Sequence, residues 1–457
     1  MRVRWDRFSI WCVLACAACA PGQDTRTVRE PVIPAACVVL AARLPVEPGP
    51  TLAEADESRE DTARIQQALD RCPAGQAVAL EAEGPHRAFL AGPLELRSGV
   101  TLLAGAGTVL FASRNPRDYD IAPGSCGVVD SNGHGCRPLL GGDGIEDAAV
   151  MGDGVIDGRG WARLTGQTES WWDLAQDAKR ANAHQNCPRL IALSRSARFT
   201  LYRITLRNSP NFHVWFSGDG FTAWGVAIDS PQTARNTDGI DPSSATNVTI
   251  THCFIHAGDD NVAIKAGAAG PSSHITIAHN HFYTGHGVSI GSETQGGVSA
   301  VRVTDLSIDG ADNGIRIKSN SSRGGLVEDV TYSDVCIRGT KNPIVMDSTY
   351  PFYGQVRDKL PEFRGIVLRD IRVLGGGAIA LEGFDARHRL KIVFDDVHFD
   401  EPTATAVSAR RAEIALGPGP VNFRPSGEDV TVVGTPAAGP SQACRDKFVA
   451  MPGETHK

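Results

Sequence analysis

An internal repeat in the second half of the chain limits its possible folds more than any other feature. Short apolar, strand-like runs recur there, separated by turns rich in Gly, Asn, Asp and Ser. Matching apolar residues follow one another at intervals of 26, 24, 26, 27 and 29 residues: Val214, Ile240, Ile264, Ile290, Ile317 and Met346. A strand-and-turn unit of this period is typical of a β-solenoid, whereas propeller blades are about 40–50 residues long. The repeat therefore predicts an all-β protein, a single chain coiled into a parallel β-helix.

Two segments depart from the strand pattern. Ser58–Cys72 is predicted to be a helix, because Ile65, Leu69 and Cys72 recur at helical spacing and acidic residues crowd its start. A second helix is predicted over Trp171–Ala183. The end of a solenoid core must be covered, so we expect the first helix to cap the N-terminal end of the β-helix.

The N-terminus has the pattern of an export signal. Three arginines precede an apolar run, Phe8–Ala20, which only Ser9 interrupts and which is too short to span a bilayer. Residues 1–20 are therefore predicted to be a signal segment of a secreted protein. Cys16 and Cys19 follow small residues, which leaves lipoprotein processing and an outer-membrane anchor as an alternative.

Composition divides the rest of the chain. Residues 21–36 form a Pro-rich linker, residues 37–434 carry the strand pattern of the β-helix domain, and residues 435–457 form a polar tail. No later stretch is long and apolar enough to be a membrane span. The net charge of −7, from 45 basic and 52 acidic residues, argues against a nucleic-acid partner.

Cysteines indicate an oxidising compartment. Eight follow the signal segment: Cys37, Cys72, Cys126, Cys136, Cys187, Cys253, Cys336 and Cys444. Cys126 and Cys136 bracket a Gly-rich loop that a disulfide could close. Zinc is the competing interpretation, although none of the eight forms a Cys-x-x-Cys pair. Cys253 and Cys336 lie in apolar strand-like runs, which predicts buried free thiols.

Polar residues cluster at one position of the repeat. They are Asp238, Asp259, Asp260, His286, Arg316, Lys318 and Tyr350. Equivalent positions on successive coils stack about 4.8 Å apart, so these residues become lateral neighbours. Taken singly, an Asp-Asp pair is usually a solvated turn, and Arg-Ile-Lys is usually the outer face of a strand. Their coincidence in one register favours a functional site. Crowded carboxylates repel one another and lower the stability of the fold, so such a cluster is expected only where it serves a purpose.

Such a cluster suits acid–base chemistry at a glycosidic bond. One carboxyl stays protonated and donates to the leaving oxygen, while others activate water on the opposite face of the sugar. Inverting enzymes place these functions about 6.5–9.5 Å apart, a distance that carboxylates on neighbouring coils can meet. Arg316 and Lys318 need an anionic partner, and a sugar carboxylate is a natural one.

Four motifs carry a resemblance to a known family. In chain order they are Asn236-Thr237-Asp238, Gly258-Asp259-Asp260, Gly285-His286-Gly287 and Arg316-Ile317-Lys318. With these motifs in this order, the chain resembles the polygalacturonases, glycoside hydrolase family 28. The resemblance extends from about Cys37 to about Gly434, and the chain is most similar to the bacterial endo-acting branch. The resemblance implies a right-handed parallel β-helix that hydrolyses α-1,4 links of polygalacturonate with inversion. We expect a monomer that uses no cofactor and no metal.

The resemblance also implies residue roles. Asp259 is the general acid, Asp238 and Asp260 bind and activate water, and His286 helps set the protonation of the acid. The implied substrate-binding residues are Arg316, Lys318, Tyr350, Asn236 and, on an adjacent strand, Lys265. The implied disulfides are Cys37–Cys72 and Cys126–Cys136.

Three alternatives remain open from sequence. A pectate lyase would use a β-helix, a base and Ca²⁺. A carbohydrate-binding solenoid would not need three crowded acids. Within the family, an exo-acting enzyme or a rhamnogalacturonan hydrolase would differ only in the loops around the groove.

Overall fold

The computed structural model describes residues 23–49, 51–351, 358–441, 443–444 and 446–453. The predicted signal segment, residues 1–20, lies outside this range. The described chain coils into one long sheet system of parallel strands, so the predicted β-helix is confirmed. Among the helices within these ranges, none has the length and apolar character that a membrane span requires.

Thirty strands and two α-helices make up the fold. The helices are α1 (Thr62–Arg71) and α2 (Trp171–Arg180). The strands before α2 are β1 (Ala36–Ala41), β2 (Leu44–Pro45), β3 (Gln76–Glu81), β4 (His86–Ala91), β5 (Leu94–Glu95), β6 (Val100–Ala104), β7 (Val109–Ala112), β8 (Val129–Asp130), β9 (Leu140–Asp143), β10 (Ala149–Met151) and β11 (Val155–Asp157). Those after it are β12 (His184–Gln185), β13 (Ile191–Tyr202), β14 (Thr205–Arg207), β15 (Val214–Trp224), β16 (Ala227–Asp229), β17 (Ile240–Thr251), β18 (Phe254–His256), β19 (Val262–Ile264), β20 (Ser272–Phe282), β21 (Val288–Ile290), β22 (Val298–Asp309), β23 (Asn313–Lys318), β24 (Leu326–Arg338), β25 (Asn342–Asp347), β26 (Glu362–Leu374), β27 (Gly377–Glu382), β28 (Leu390–Phe399), β29 (Thr405–Leu416) and β30 (Gly427–Val433).

The coils form three faces around one apolar core. The first face, called face 1 below, stacks these residues in register: Leu140, Ile191, Val214, Ile240, Val262, Val288, Ile315, Ile344 and Ile379. The second face contains a ladder from Phe199 through Phe221 to Val248, and the third a ladder from Leu206 through Ile228 to Ile255. Alternate residues of each strand point inward, so the core is continuous along the axis.

The register predicted from sequence holds over four coils and slips in one place. Ile264, Ile290 and Ile317 pair in register as predicted, and the ladder continues to Met346. Ile240, however, pairs with Val262 and not with Ile264, because this coil is two residues shorter than the sequence spacing suggested. A slip of two residues keeps the same side chains inward, since the strand period is two.

Left-handed residues turn the corner between the first and second faces. On successive coils the positive φ falls on Arg198, Gly220, Asn247, His274, Ala300, Asp329 and Gly365. Each directly precedes a residue of the second-face core ladder, such as Val248 after Asn247. Gly and Asn adopt this conformation at low cost, which is why the turns are rich in them.

The two helices occupy the predicted places with shifted ends. Helix α1 begins at Thr62, four residues after the predicted start, and buries Ile65 and Leu69 in the core shared with the first coils. Helix α2 begins at Trp171 as predicted and ends at Arg180. A reciprocal capping box between Ser170 and Asp173 fixes its start.

Both ends of the described chain lie along the outside of the β-helix. The N-terminal segment, residues 23–30, makes hydrogen bonds with four successive coils, at Tyr202, Phe221, Asn247 and Thr276. A C-terminal strap, residues 443–444 and 446–449, crosses another part of the outer surface. There Lys447 pairs with Asp334 at 2.8 Å and also with Asp305, and the Val449 carbonyl accepts from Tyr283.

Three disulfides stabilise the fold. Cys37–Cys72 and Cys126–Cys136 are present as the resemblance implied. The prediction of a free thiol at Cys336 is wrong, because Cys336 bonds with Cys444 and fastens the C-terminal strap. In the strand, Val335 and Ile337 pair within the inner ladder, so the residue between them faces outward. Cys253 is buried and unpaired as predicted, and so is Cys187.

Removing the strap disulfide is expected to lower stability without lowering activity. The bond closes a loop of 108 residues, and a loop of that size gives a loss of about 2 kcal/mol or more in the free energy of unfolding. The measurement is urea unfolding of Cys444→Ser beside Cys336→Ser and the double variant. All three should lose the same free energy, and additive losses in the double variant would contradict a shared bond.

Candidate active site

Charged side chains stand together at one end of face 1. The turn before β17 holds Asp238, the turn before β19 holds Asp260, and His286 lies in the turn before β21. Strand β23 carries Arg316 and Lys318, whose neighbour Ile317 points into the core. Because these strands pair in parallel register, residues as far apart in sequence as Asp260 and Lys318, 58 positions, become neighbours. The structure therefore brings together the cluster that the repeat predicted.

Asp260 is the most enclosed of the three predicted acids, with 1% of its surface exposed. It accepts hydrogen bonds from Ser289 at 2.7 Å, from Lys318 at 2.8 Å and from Arg316. Burial alone would raise the pKa of Asp260, but Arg316 and then Lys318 hold that pKa well below its usual range. The two predicted substrate-binding cations thus favour the ionised form of Asp260 and are also its internal partners.

Asp259 pairs with a histidine of the next coil. Its Oδ1 lies 3.0 Å from Nδ1 of His286, and its backbone carbonyl accepts from the backbone N–H of the same residue at 2.9 Å. On the other side of the ring, Nε2 lies 3.8 Å from a carboxylate oxygen of Asp312. Burial acts to raise the pKa of Asp259, but the hydrogen bond with His286 and nearby cations bring it below the usual value.

A second buried group surrounds Asp238. Lys265 Nζ lies 3.2 Å from Oδ2 of Asp238 and forms a further ion pair with Asp241, which is fully buried. Burial and then the neighbouring carboxylate of Asp241 raise the pKa of Asp238 well above its usual value, although Lys265 opposes the shift. Burial likewise raises the pKa of Asp241 to about 6. Lys265 was predicted to reach a substrate carboxylate; in the structure it bridges two protein carboxylates.

Two predicted binding residues lie at the edge of this cluster. The Tyr350 ring lies under the Lys318 ammonium, 5.4 Å from ring centre to Nζ, and its backbone N–H donates to the Ser319 carbonyl. Asn236 has a positive φ of 57° and its side-chain oxygen accepts from Gln185 at 3.0 Å. Tyr350 therefore faces the cations of the site, whereas the side chain of Asn236 braces the turn that leads to Asp238.

The three predicted acids hold their protons unequally. In the free site the pKa of Asp238 lies above its usual value, because burial and the Asp241 carboxylate raise it, whereas hydrogen bonds and cations bring the pKa values of Asp259 and Asp260 below theirs. This order differs from a simple assignment in which the general acid is the carboxyl with the raised pKa. The charge of a bound substrate must therefore enter any account of the acid.

The same carboxylates could in principle hold a metal ion. One ligand atom each from Asp259, Asp260 and His286 lie within 4.8 Å of one another. Arg316 and Lys318, however, already place two positive charges on the Asp260 carboxylate. A divalent cation there would be repelled by both, so the arrangement suits a water molecule or a sugar hydroxyl better than a metal.

Sequence reasoning missed three residues of the site: Asp241, Ser289 and Asp312. Ser289 pairs in register with Arg316, one place before the aligned Ile290 and Ile317, so the repeat alignment contained the signal for it. Asp241 follows Ile240 directly and faces outward by strand alternation. Asp312 lies in the turn after β22, and no spacing in the sequence marked it.

Comparison with known proteins agrees with this geometry. The family model of glycosyl hydrolases family 28 matches residues 82–401. The endo-polygalacturonase of Pectobacterium carotovorum subsp. carotovorum is 45% identical over 383 residues, covering 83% of this chain and 91% of the relative. The polygalacturonase of Ralstonia solanacearum is 37% identical over 521 aligned positions, covering 97% and 98%. The solved polygalacturonase from Erwinia carotovora ssp. carotovora superposes with a TM-score of 0.80 at 42% identity, covering 86% of this chain and 100% of that one. The chain is a right-handed parallel β-helix glycosidase and belongs to glycosyl hydrolases family 28.

Proposed function

We propose that this protein hydrolyses α-1,4-galacturonosyl links within polygalacturonate chains, with inversion at the anomeric carbon. The observation that carries the proposal is the pairing of two adjacent acids, Asp259 and Asp260, with His286 on one side and the cations Arg316 and Lys318 on the other. Relatives with 45% and 44% identity are named endo-polygalacturonases, which supports the substrate and the endo mode.

The catalytic roles divide between the two halves of the cluster. Asp259 donates a proton to the leaving glycosidic oxygen, and His286, at 3.0 Å, can return a proton to it. Asp238 and Asp260 hold the attacking water on the opposite face of the sugar. Attack from that face breaks the bond to the leaving oxygen and inverts the anomeric centre.

The charge of a bound substrate favours the protonated form of Asp259. In the free site the cations beside Asp259, Lys318 among them, favour its ionised form. A galacturonate carboxylate bound to Arg316 and Lys318 neutralises those cations and adds its own negative charge. Both changes raise the pKa of Asp259, so the acid becomes protonated when substrate is present.

Arg316 and Lys318 keep hydrogen-bond donors for this carboxylate. Arg316 uses Nε for Ser289 and Nη2 for Asp260, and its Nη1 has no hydrogen bond to any residue of the described ranges. Lys318 donates one of its three N–H groups to Asp260. The Tyr350 ring beside Lys318 offers an apolar surface to the sugar.

Export and a monomeric state complete the proposal. Three disulfides join described cysteines, and such bonds persist in oxidising compartments outside the cytosol. Each of the residues given a role comes from the same chain, so one copy suffices for the site.

The product of polygalacturonate digestion tests the function. We expect new reducing ends without ultraviolet-absorbing unsaturated products, no effect of a chelator, and mixed oligomers early in the reaction. Proton NMR should show the β-anomer of the new reducing end first, since inversion of an α-link gives it. Unsaturated products lost with chelator would identify a lyase, and monomer alone at early times would identify an exo-acting enzyme. Binding without turnover would leave only a carbohydrate-binding solenoid.

A further inference from the structure

The ammonium group of Lys265 lies between two carboxylates and an aromatic ring. Two of its neighbours are carboxylates, Oδ2 of Asp238 at 3.2 Å and Oδ2 of Asp241. The Phe212 ring covers a third side, 4.1 Å from its centre to Nζ. An ammonium has three N–H groups, and two of those of Lys265 are donated to protein carboxylates while an aromatic ring lies beside the group. Lys265 therefore has fewer donors left for a sugar than a lysine with one carboxylate partner.

The other lysine of the site is placed differently. Lys318 donates to one carboxylate, that of Asp260, and its aromatic neighbour Tyr350 lies farther away, at 5.4 Å. Both lysines follow a core isoleucine of face 1, so sequence position alone does not separate them. The contacts do, because only Lys265 bridges two acids.

We propose that Lys265 and Asp241 form a positioning pair that fixes the Asp238 carboxylate toward the attacking water, and that Lys265 does not bind substrate. The inference rests on the proposed function, because the need for a fixed Asp238 comes from the hydrolytic mechanism. Asp241 anchors Lys265 from beneath, and Lys265 in turn holds one oxygen of Asp238 in place. Asp238 Oδ1 is buried and has no hydrogen bond within the described chain, so it is the oxygen of this carboxylate whose acceptor capacity is free for the attacking water.

Electrostatics within the cluster give the pair a measurable signature. The charged groups that face Asp238 are the carboxylates of Asp241, Asp259 and Asp260 and the ammonium of Lys265, and Arg189 also interacts with Asp238. Lys265 is the cation that lowers the pKa of Asp238. Without Lys265 the carboxylate forms only at higher pH, so the acid limb of the activity profile should move to higher pH.

The experiment compares Lys265→Met with Lys318→Met on polygalacturonate. For Lys265→Met we expect kcat to fall by about 10²-fold, as a misplaced catalytic group does, with KM within about twofold of wild type. The acid limb of kcat/KM should shift upward in pH. For Lys318→Met, which removes a substrate contact, KM should rise by at least about tenfold.

A second variant covers the case in which Lys265→Met folds poorly. In Lys265→Met with Asp241→Asn, the second substitution removes the carboxylate that the lysine leaves unpaired, so the double variant should fold and show the same kcat as Lys265→Met. A raised KM with unchanged kcat in whichever variant folds, or an unmoved acid limb in Lys265→Met, would overturn the proposal and make Lys265 a substrate contact. The acid limb is compared only in Lys265→Met, because Asp241→Asn also removes a carboxylate that raises the pKa of Asp238. Failure of the wild-type protein to release reducing ends would instead overturn the proposed function, before any variant is compared.

Discussion

Replacing Asp259 with Asn is expected to lower kcat on polygalacturonate by about 10³-fold, with KM within a few-fold of wild type. An amide fills the same space and keeps a hydrogen bond with His286, but it cannot give a proton to the leaving oxygen. The protein should bind the polymer normally, because Arg316 and Lys318 are untouched. Initial rates of reducing-end release and equilibrium binding of oligogalacturonate measure the two quantities.

Leaving-group chemistry separates the acid from the base. On an aryl galacturonide whose phenolate leaves without protonation, Asp259→Asn should recover most of its lost rate, whereas Asp238→Asn should not. The matched control is Asp312→Asn, the same change on the far side of His286, 3.8 Å from Nε2 and more exposed. It should keep most of its activity. Recovery by Asp238→Asn in place of Asp259→Asn would exchange the two roles, as the raised pKa of Asp238 in the free site would then suggest.

Replacing Arg316 with Met is expected to lower the free energy of unfolding by about 3 kcal/mol at pH 7. Asp260 is 1% exposed and Arg316 8% exposed, so removal of the guanidinium leaves a buried carboxylate with Lys318 at 2.8 Å and the His286 ring at 3.8 Å as its neighbours. Urea unfolding of both proteins measures the loss. The matched control is Arg364→Met, which removes a surface pair with Glu328 and should leave the unfolding midpoint nearly unchanged.

The effect of Arg316→Met should depend on pH with a definite sign. In the wild-type protein the pKa of Asp260 is depressed in the folded state, so the carboxylate contributes stability above its unfolded pKa of about 3.9. That contribution is lost as the pH falls toward the folded pKa. The difference between wild type and Arg316→Met should therefore be largest near neutral pH and shrink as the pH falls below about 4. A difference that grows on acidification would show that Arg316 acts on stability through other contacts.

The fold could be predicted because its main signal, the regular spacing of apolar residues, can be read along the sequence. Ile264, Ile290 and Ile317 reveal the register directly, since each coil repeats the same inward position. The error at Ile240 has the same origin, because turn lengths vary between coils and apolar spacing does not report which turn is shorter. The disulfide between Cys336 and Cys444 could not be predicted, because a bond across 108 residues leaves no local pattern in the sequence.

The site was predicted in its membership but not in its internal pairing. The motif residues identified Asp238, Asp259 and Asp260 as neighbours, and the structure brings them into one cluster. Which cation serves which acid depends on side-chain contacts between coils. Lys265 and Lys318 look alike in sequence, yet Lys265 bridges two buried acids whereas Lys318 pairs with Asp260 beside the Tyr350 ring. Contacts of this kind are a tertiary property, and the repeat does not encode them.

The segments along the outside of the β-helix alter how the coils depend on one another. In a solenoid each coil touches only the next, so coils can in principle melt one after another from an end. Residues 23–30 contact four successive coils, and the C-terminal strap joins Tyr283, Asp305 and Asp334 on three successive coils. These lengthwise braces oppose fraying and make the loss of any one coil more costly. The coils that carry Asp238, Asp260, His286 and Arg316 lie in this braced part of the chain, so their relative positions depend on the outer segments as well as on the strand pairing.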